Sequence, residues 1–122
     1  KISLPVEIDF MKVSSYKDGT VSSGRINIIL DLHRNDLSEC DIIVVEDIID
    51  SGVTMKQFVA DLKEVGAAKV KIASLLVKPE NNKTDIKADY YGFSISKEFV
   101  VGYGLDFDGN ARNLDSIYKC ID

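Results

Sequence analysis

The chain has 122 residues, 45% of them hydrophobic and 29% charged, with no Trp; this is enough for one domain, residues 1–122, around a single core, and not for two. A formal net charge of −5 and a pI near 4.8 argue against a protein that lives on nucleic-acid backbones, which carries a basic face, yet leave room for a small anion in one locally positive pocket. Cys40 and Cys120 lie far apart with no C-x-x-C, so neither a disulfide framework nor a zinc site is indicated, and no apolar run nears the ~20 residues that span a bilayer.

Residues 6–13 (VEIDFMKV) alternate apolar and polar and predict a half-buried strand. Residues 14–24 (SSYKDGTVSSG) are small, polar and without periodicity, which predicts a flexible loop long enough to serve as a lid. Residues 25–30 (RINIIL) resume the strand pattern, so loop and flanks read as a long hairpin. His33, the only histidine, falls in a surface loop and takes no role. In residues 41–46 (DIIVVE) four apolar residues follow one another, as in a strand buried on both faces. Met55, Phe58, Val59, Leu62 and Val65 fall at helical spacing, with Gly66 as the stop. Residues 69–78 (KVKIASLLVK) predict a second strand ending at Pro79, so strand, loop, helix and strand make a βαβ unit with a parallel pair. YYGFSI and EFVVGYG predict short strands around glycine turns. The class is α/β, three-layered, around one parallel unit.

Residues 44–54 (VVEDIIDSGVT) carry the chemistry. Glu46, Asp47 and Asp50 stand between an apolar strand and a Ser51-Gly52-x-Thr54 tail that enters a helix. In an open α/β sheet ligands bind beyond the carboxyl ends of the strands. There the helix N-terminus offers free N–H groups and the positive end of its dipole, which with two hydroxyls and a glycine makes a phosphate cradle. The acids then need work compatible with a nearby phosphate: sugar hydroxyls or metal-bound waters for Glu46 and Asp47, and proton or hydrogen-bond acceptance for Asp50. The competing reading is that Ser51 or Asp50 merely caps the helix while the other acids are solvated. Neither G-x-x-x-x-G-K-[ST] nor G-x-G-x-x-G is present. DFDGNAR does not fit a calcium loop either, because Gly109 is its fourth residue and not its sixth.

VVEDIIDSGVT resembles the phosphoribosyl-pyrophosphate motif of type I phosphoribosyltransferases, in particular the hypoxanthine (hypoxanthine-guanine) branch. FMKVSSYKDGTVSSG is similar to that branch's mobile active-site loop, with the Ser15-Tyr16 pair in place. LLVKP is similar to its purine-contacting strand end, and EFVVGYGLDFDGNARNL to its base-binding and pyrophosphate segment. The likeness runs through nearly the whole chain in the family's order. It implies a central parallel sheet flanked by helices with a flexible active-site loop at 14–24. It implies that Glu46 and Asp47 engage the ribose hydroxyls and metal-bound waters, and that Asp50, Ser51, Gly52, Val53 and Thr54 hold the 5′-phosphate. Asp50 also faces purine N7 as the catalytic proton acceptor. By the same resemblance Lys78 donates to the 6-oxo group, Phe99 stacks on the base and Val100 reads its edge. Asp106 ligates Mg²⁺ and Arg112 binds pyrophosphate. Without the resemblance, Lys78 reads as a solvated strand end and Phe99 as core.

The implied activity is purine salvage in the cytoplasm: phosphoribosyl transfer from 5-phosphoribosyl pyrophosphate to N9 of hypoxanthine, with guanine alongside, by a Mg²⁺-dependent homo-oligomer, dimer or tetramer, acting on neither nucleic acid nor membrane. The family's chains extend upstream through the first strands and a Leu-Lys-Gly loop, which residues 1–10 do not match; the expectation is a C-terminal portion, or a partner chain supplying the rest. Two other readings stay open: a regulator that senses phosphoribosyl pyrophosphate without turnover, and an inactive fragment that binds a partner.

Overall fold

In the computed structural model, which describes residues 2–11 and 36–121, the β-branched run after Cys40 becomes strand β1 (Asp41–Ile49). Helix α1 (Val53–Glu64) and strand β2 (Lys69–Val77) follow. β1 and β2 pair in parallel from Asp41↔Lys69 to Ile49↔Val77, which completes the expected βαβ unit. Strand β3 (Tyr90–Ser94) adds to the far side of β2, also in parallel, giving the order β1-β2-β3. Strands β4 (Val100–Val101) and β5 (Tyr118–Lys119) form a separate antiparallel pair.

The core forms where α1 lies on the sheet. Met55, Phe58, Val59 and Leu62, spaced three and four apart, are buried together with Val44, Ile49 and Ile72. Val44 and Ile72 are register partners, as are Ile49 and Val77, so both strands feed the same cluster at their middle and again at their carboxyl ends. The segment from residue 78 to 89, which joins β2 to β3, runs over the same face: Ile86 and Ala88 pack against the cluster. Lys56 Nζ reaches Asp85 at 2.7 Å, and the Asp89 N–H donates to the Ile72 carbonyl at 2.9 Å.

Gly66 ends the helix as its position predicts. Its φ is 105°, and its N–H donates to the Lys63 carbonyl while the Ala67 N–H donates to the Leu62 carbonyl, at 3.1 and 3.0 Å. This paired closure is a Schellman motif, which needs a left-handed residue after the last helical turn. A Cβ on Gly66 would meet nothing within 4 Å, so Gly66→Ala isolates the backbone cost. The expected loss is about 1–2 kcal/mol of unfolding free energy, read from denaturant midpoints at an unchanged m-value.

Four expectations are corrected. β1 is not buried on both faces along its length: Ile43 and Val45 are 57% and 78% exposed, while Val44 and Ile49 join the core cluster with α1. The three layers reduce, among the described residues, to one helix on one face of the sheet. Residues 6–11 are not in a strand, and Val6, Ile8 and Phe10 are exposed; alternation makes a strand only where an edge offers hydrogen-bond partners, and neither β1 nor β3 pairs with this stretch. The EFVVGYG strand shortens to β4, because the chain turns back at once. Tyr103 and Gly104 both have positive φ between the reciprocally bonded Gly102 and Leu105, and Asp108-Gly109 repeats the arrangement between Phe107 and Asn110. Two such tight turns in close succession are hairpin turns of the primed kind. The rest of the first predicted strand, the lid loop at 14–24, the 25–30 strand and His33 lie outside the described residues.

Candidate functional site

The carboxyl ends of β1 and β2 lie side by side, and the Lys78 N–H donates to the Ile49 carbonyl at 2.9 Å just past their last paired residues. Asp50 and Lys78 therefore leave the sheet together. Lys78 Nζ lies 3.1 Å from Asp50 Oδ2, with the lysine side chain 4% exposed and the aspartate 50% exposed. The competing reading of Lys78 as a solvated strand end therefore fails: it is a buried cation whose charge is matched by a carboxylate at the surface of the cleft, as burial of an ammonium demands. Asn81 Nδ2 donates to the other oxygen, Asp50 Oδ1, at 2.8 Å. Partial burial pushes the Asp50 carboxyl up. Hydrogen bonds from Asn81 and Lys78, with the charges of Lys78 and Lys83, outweigh it and hold the group below the usual carboxylate range.

Beyond Asp50 the chain enters α1. Gly52 is the N-cap residue, with φ 77°, and no side chain caps the helix; the nearest approach, Ser51 Oγ to the Val53 N–H, is 3.4 Å. Asp50 does not cap the helix: it is turned to Lys78 and Asn81, and Ser51 makes only the long contact to the Val53 N–H, the one side-chain acceptor seen at a first-turn N–H among the described residues. No acid stands in the first helical turn, so the positive end of the helix is open to an anion. The loop is backed closely by the segment after β2. A Cβ on Gly52 would sit 2.5 Å from Thr84 Oγ1 and 2.6 Å from Asn82 Oδ1, and the Lys83 N–H donates to the Ser51 carbonyl at 2.9 Å.

A cleft of about 220 Å³ opens beside this loop, lined by Asp47, Ile48, Asp50, Lys78, Phe99, Val100, Leu105 and Asp106. It is smaller than the ~300–1,000 Å³ typical of drug-sized ligand sites and combines apolar walls with an ammonium and three carboxylates. Phe99 is half exposed, not core, and packs edge-on against Phe107 with ring centroids 5.7 Å apart, which leaves it at the rim for a planar guest. Val100 lies in β4, whose pairing with β5 fixes the backbone at that wall. Asp106 sits between the two tight turns. Its Oδ2 accepts the Gly109 N–H at 2.8 Å, and its Oδ1 lies 2.9 Å from Arg112 Nη2. Arg112 also donates from Nη1 to the Gly104 carbonyl at 2.8 Å. Glu46 is half-buried and precedes Asp47 on β1; burial, then the adjacent Asp47 charge, raises its carboxyl above the ordinary range.

The structure thus brings Asp47, Asp50, Lys78, Phe99, Val100 and Asp106 around one cleft, with Gly52, Val53 and Thr54 at the helix entry beside it. Arg112 does not line the cleft but is held against Asp106. Ser15 and Tyr16 lie outside the described residues. Sequence reasoning missed Asn81, and also Ile48 and Leu105 as apolar walls. Pro79 announces a turn just after a strand end, but no local signal tells that the turn's last side chain meets a carboxylate 31 residues back.

The sequence matches the family described as Phosphoribosyl transferase domain over residues 2–108. It is 53% identical over 116 residues to the hypoxanthine-guanine phosphoribosyltransferase of Streptococcus pneumoniae, a match that covers 95% of this chain and 64% of the relative. Among solved structures, a hypoxanthine phosphoribosyltransferase from Staphylococcus aureus superimposes with a TM-score of 0.78 at 42% identity, over 89% of this chain and 59% of that one. A Trypanosoma cruzi hypoxanthine phosphoribosyltransferase in a ternary substrates complex gives a TM-score of 0.85 at 34% identity, over 96% of this chain and 62% of that one. The chain therefore spans under two thirds of the length of these relatives.

Proposed function

The chain belongs to the phosphoribosyl transferase family and has its type I α/β fold, and from that premise we propose that it forms the nucleotide-binding part of a purine-salvage enzyme. The reaction is transfer of phosphoribosyl from 5-phosphoribosyl pyrophosphate to N9 of hypoxanthine, with guanine as a second acceptor. One observation carries the reading: the buried Lys78 is salt-bridged to Asp50, which opens the loop into an α1 N-terminus with a glycine N-cap and no acid in its first turn. An anion cradle at the α1 entry and a reader of a purine edge at the end of β2 are thus linked through Asp50, as recognition of the two ends of one nucleotide requires.

In this reading the backbone N–H groups of Gly52, Val53 and Thr54, with the Ser51 and Thr54 hydroxyls, hold the 5′-phosphate. Glu46 and Asp47 accept from the ribose hydroxyls, and neutral partners suit Glu46, whose ionised form is disfavoured by its surroundings. The Lys78 ammonium donates to the purine 6-oxo group; adenine presents an amine there, a donor facing a donor, and is rejected. Phe99 stacks on the base and Val100 fixes its edge. As N9 forms its bond to C1, the bond from C1 to the pyrophosphate oxygen breaks, and Asp50 takes or shares the N7 proton. Arg112, which meets Asp106 through Nη2 alone, turns to the departing pyrophosphate, whose oxygens its guanidinium can grip with two N–H groups. The developing cation is shielded from water by the loop at 14–24, with Ser15 and Tyr16.

Mg²⁺ fits the donor set as a partly protein-held ion. Among the described residues no three His, Cys, Asp or Glu side chains group as a closed cage. Mg²⁺ is commonly bound by one or two carboxylates with water and substrate oxygens. Asp106 would supply a direct oxygen, with Glu46 and Asp47 reached through water. The ion would neutralise charge gathering on pyrophosphate. We place the protein in the cytoplasm as a homo-oligomer, dimer or tetramer, on small-molecule substrates and on neither nucleic acid nor membrane; no helix among the described residues is long and apolar enough to cross a bilayer.

The test is purine-dependent pyrophosphate release by the full-length protein. Mg²⁺-dependent turnover with hypoxanthine and little with adenine is expected, whereas equal use of adenine, or turnover of no purine, would remove the assignment. Lys78→Gln, which offers both a donor and an acceptor to position 6, is expected to lower kcat/KM for hypoxanthine by about 10–100-fold and to narrow the preference over adenine. An unchanged preference would show that Lys78 does not face the 6-position.

A further inference from the structure

Lys78, Pro79, Glu80 and Asn81 form a β-turn, closed by the Asn81 N–H on the Lys78 carbonyl at 3.1 Å. Pro79 holds the turn's second position, where its fixed φ is already correct. The turn hangs on the joined ends of β1 and β2 through the Lys78 N–H, 2.9 Å from the Ile49 carbonyl. Its first and last side chains converge on one carboxylate, Lys78 on Oδ2 at 3.1 Å and Asn81 on Oδ1 at 2.8 Å.

The two donors are not equivalent. The terminal torsion of an aspartate is broad, so a single donor leaves its carboxylate free to rotate. The Lys78 ammonium has three hydrogens and is shared with a purine when one arrives. Asn81 does not divide its donor in this way, because the amide it presents to Asp50 comes from the edge of the site and does not line the cleft. Each carboxylate oxygen keeps lone pairs free after accepting one donor, so the grip does not block acceptance of a proton.

We propose that Asn81 is a positioning residue for the transfer reaction, fixing the plane of the Asp50 carboxylate toward the purine while Lys78 is drawn to the base. The proposal rests on the reading of Asp50 given above. It also predicts a charge effect with a definite sign. The charged groups around Asp50 are Lys78 at the end of β2, Lys83 in the following loop, and Asp47 and Asp106, which line the same cleft. Asn81 acts with the lysines and against burial to keep Asp50 ionised. Its removal therefore moves Asp50 protonation to higher pH, and the acid limb of kcat/KM follows in the same direction.

The experiment compares Asn81→Ala, Asn81→Asp and Asp50→Asn, singly and combined, in the full-length protein, as kcat and as pH profiles with hypoxanthine and phosphoribosyl pyrophosphate. Asn81→Ala is expected to lower kcat by about tenfold or more and to shift the acid limb upward. Asn81→Asp keeps the shape of the side chain but sets a second carboxylate against Asp50, so it shifts the limb further. In the Asp50→Asn background Asn81→Ala is expected to add nothing. An unmoved acid limb in both Asn81 variants, or a full additive loss in the Asp50→Asn background, would reduce Asn81 to a turn residue and overturn the proposal while leaving Asp50 as the proton acceptor. Undiminished turnover in Asp50→Asn alone would instead overturn the role of Asp50, and the proposal with it.

Discussion

Asp50→Asn in the full-length protein is expected to lower turnover by about 10²–10⁴-fold, the range a positioned general base contributes, while nucleotide affinity changes far less. The amide cannot take a proton from N7. It also fits its surroundings badly: it has one acceptor oxygen for two donors, Lys78 Nζ and Asn81 Nδ2, which now meet oxygens at 3.1 and 2.8 Å. One of them must face an NH₂ group, so part of the loss is geometric. Single-turnover rates with equilibrium binding of the product nucleotide separate the two contributions. A loss of binding as large as the loss of rate would make Asp50 a scaffold of the phosphate loop and not the proton acceptor. Because its neighbours keep this carboxyl below the ordinary range, the part of the acid limb that Asp50 sets should lie below the usual carboxylate region. The same sign applies to folding: the ion pair's contribution is present above the unfolded-state pKa and lost as pH falls through the folded one.

Gly52→Ala carries the second large effect. The residue has φ 77°, where an alanine costs about 1–2 kcal/mol. Its new Cβ would also stand 2.5 Å from Thr84 Oγ1 and 2.6 Å from Asn82 Oδ1. These neighbours cannot retreat freely. Thr84 Oγ1 and the Thr84 N–H both bond Asn82 Oδ1 at 2.9 Å, Asn82 Nδ2 holds the Ile86 carbonyl, and the Lys83 N–H holds the Ser51 carbonyl. Overpacking of this kind costs about 1–3 kcal/mol more. The expected outcome is a stability loss clearly greater than that of Gly66→Ala, with weakened binding of phosphoribosyl pyrophosphate, since the loop that moves is the one offering N–H groups to the 5′-phosphate. Thermal unfolding and the donor KM check both halves; equal losses for the two glycines would mean that the Asn82–Thr84 segment yields easily.

What could be read without coordinates followed from local rules. The helix period of Met55, Phe58, Val59 and Leu62 and the stop at Gly66 depend on residues close in sequence, and the parallel pairing follows from the strand-helix-strand order; Val65, the fifth residue of the predicted set, is instead the C-cap and 44% exposed. The VVEDIIDSGVT pattern located the loop because the acids and the helix entry are contiguous. Asn81 was not legible because its partner is 31 residues away, and only the Pro79 turn brings the two together. Of the strand predicted over 6–13, the described part, 6–11, failed for the opposite reason. Its alternation is a local signal, but a strand also requires a neighbouring edge, and that is a tertiary fact. The exposed Ile43 and Val45 of β1 show the same limit: a run of apolar residues announces burial without saying what covers each face. Phe99 at the rim could not be distinguished from core by composition, since its exposure depends on the abrupt turns after β4.

If the α1 entry and the Asp50–Lys78 pair take opposite ends of one nucleotide, a crystal structure of the full-length protein with IMP will show both contacts at once. The 5′-phosphate is expected within hydrogen-bonding distance of the backbone nitrogens of Gly52 to Thr54, with the 6-oxo group and N7 of the base against Lys78 and Asp50. A phosphate bound away from the α1 N-terminus, or a base outside the cleft between Phe99 and Asp50, would contradict this arrangement.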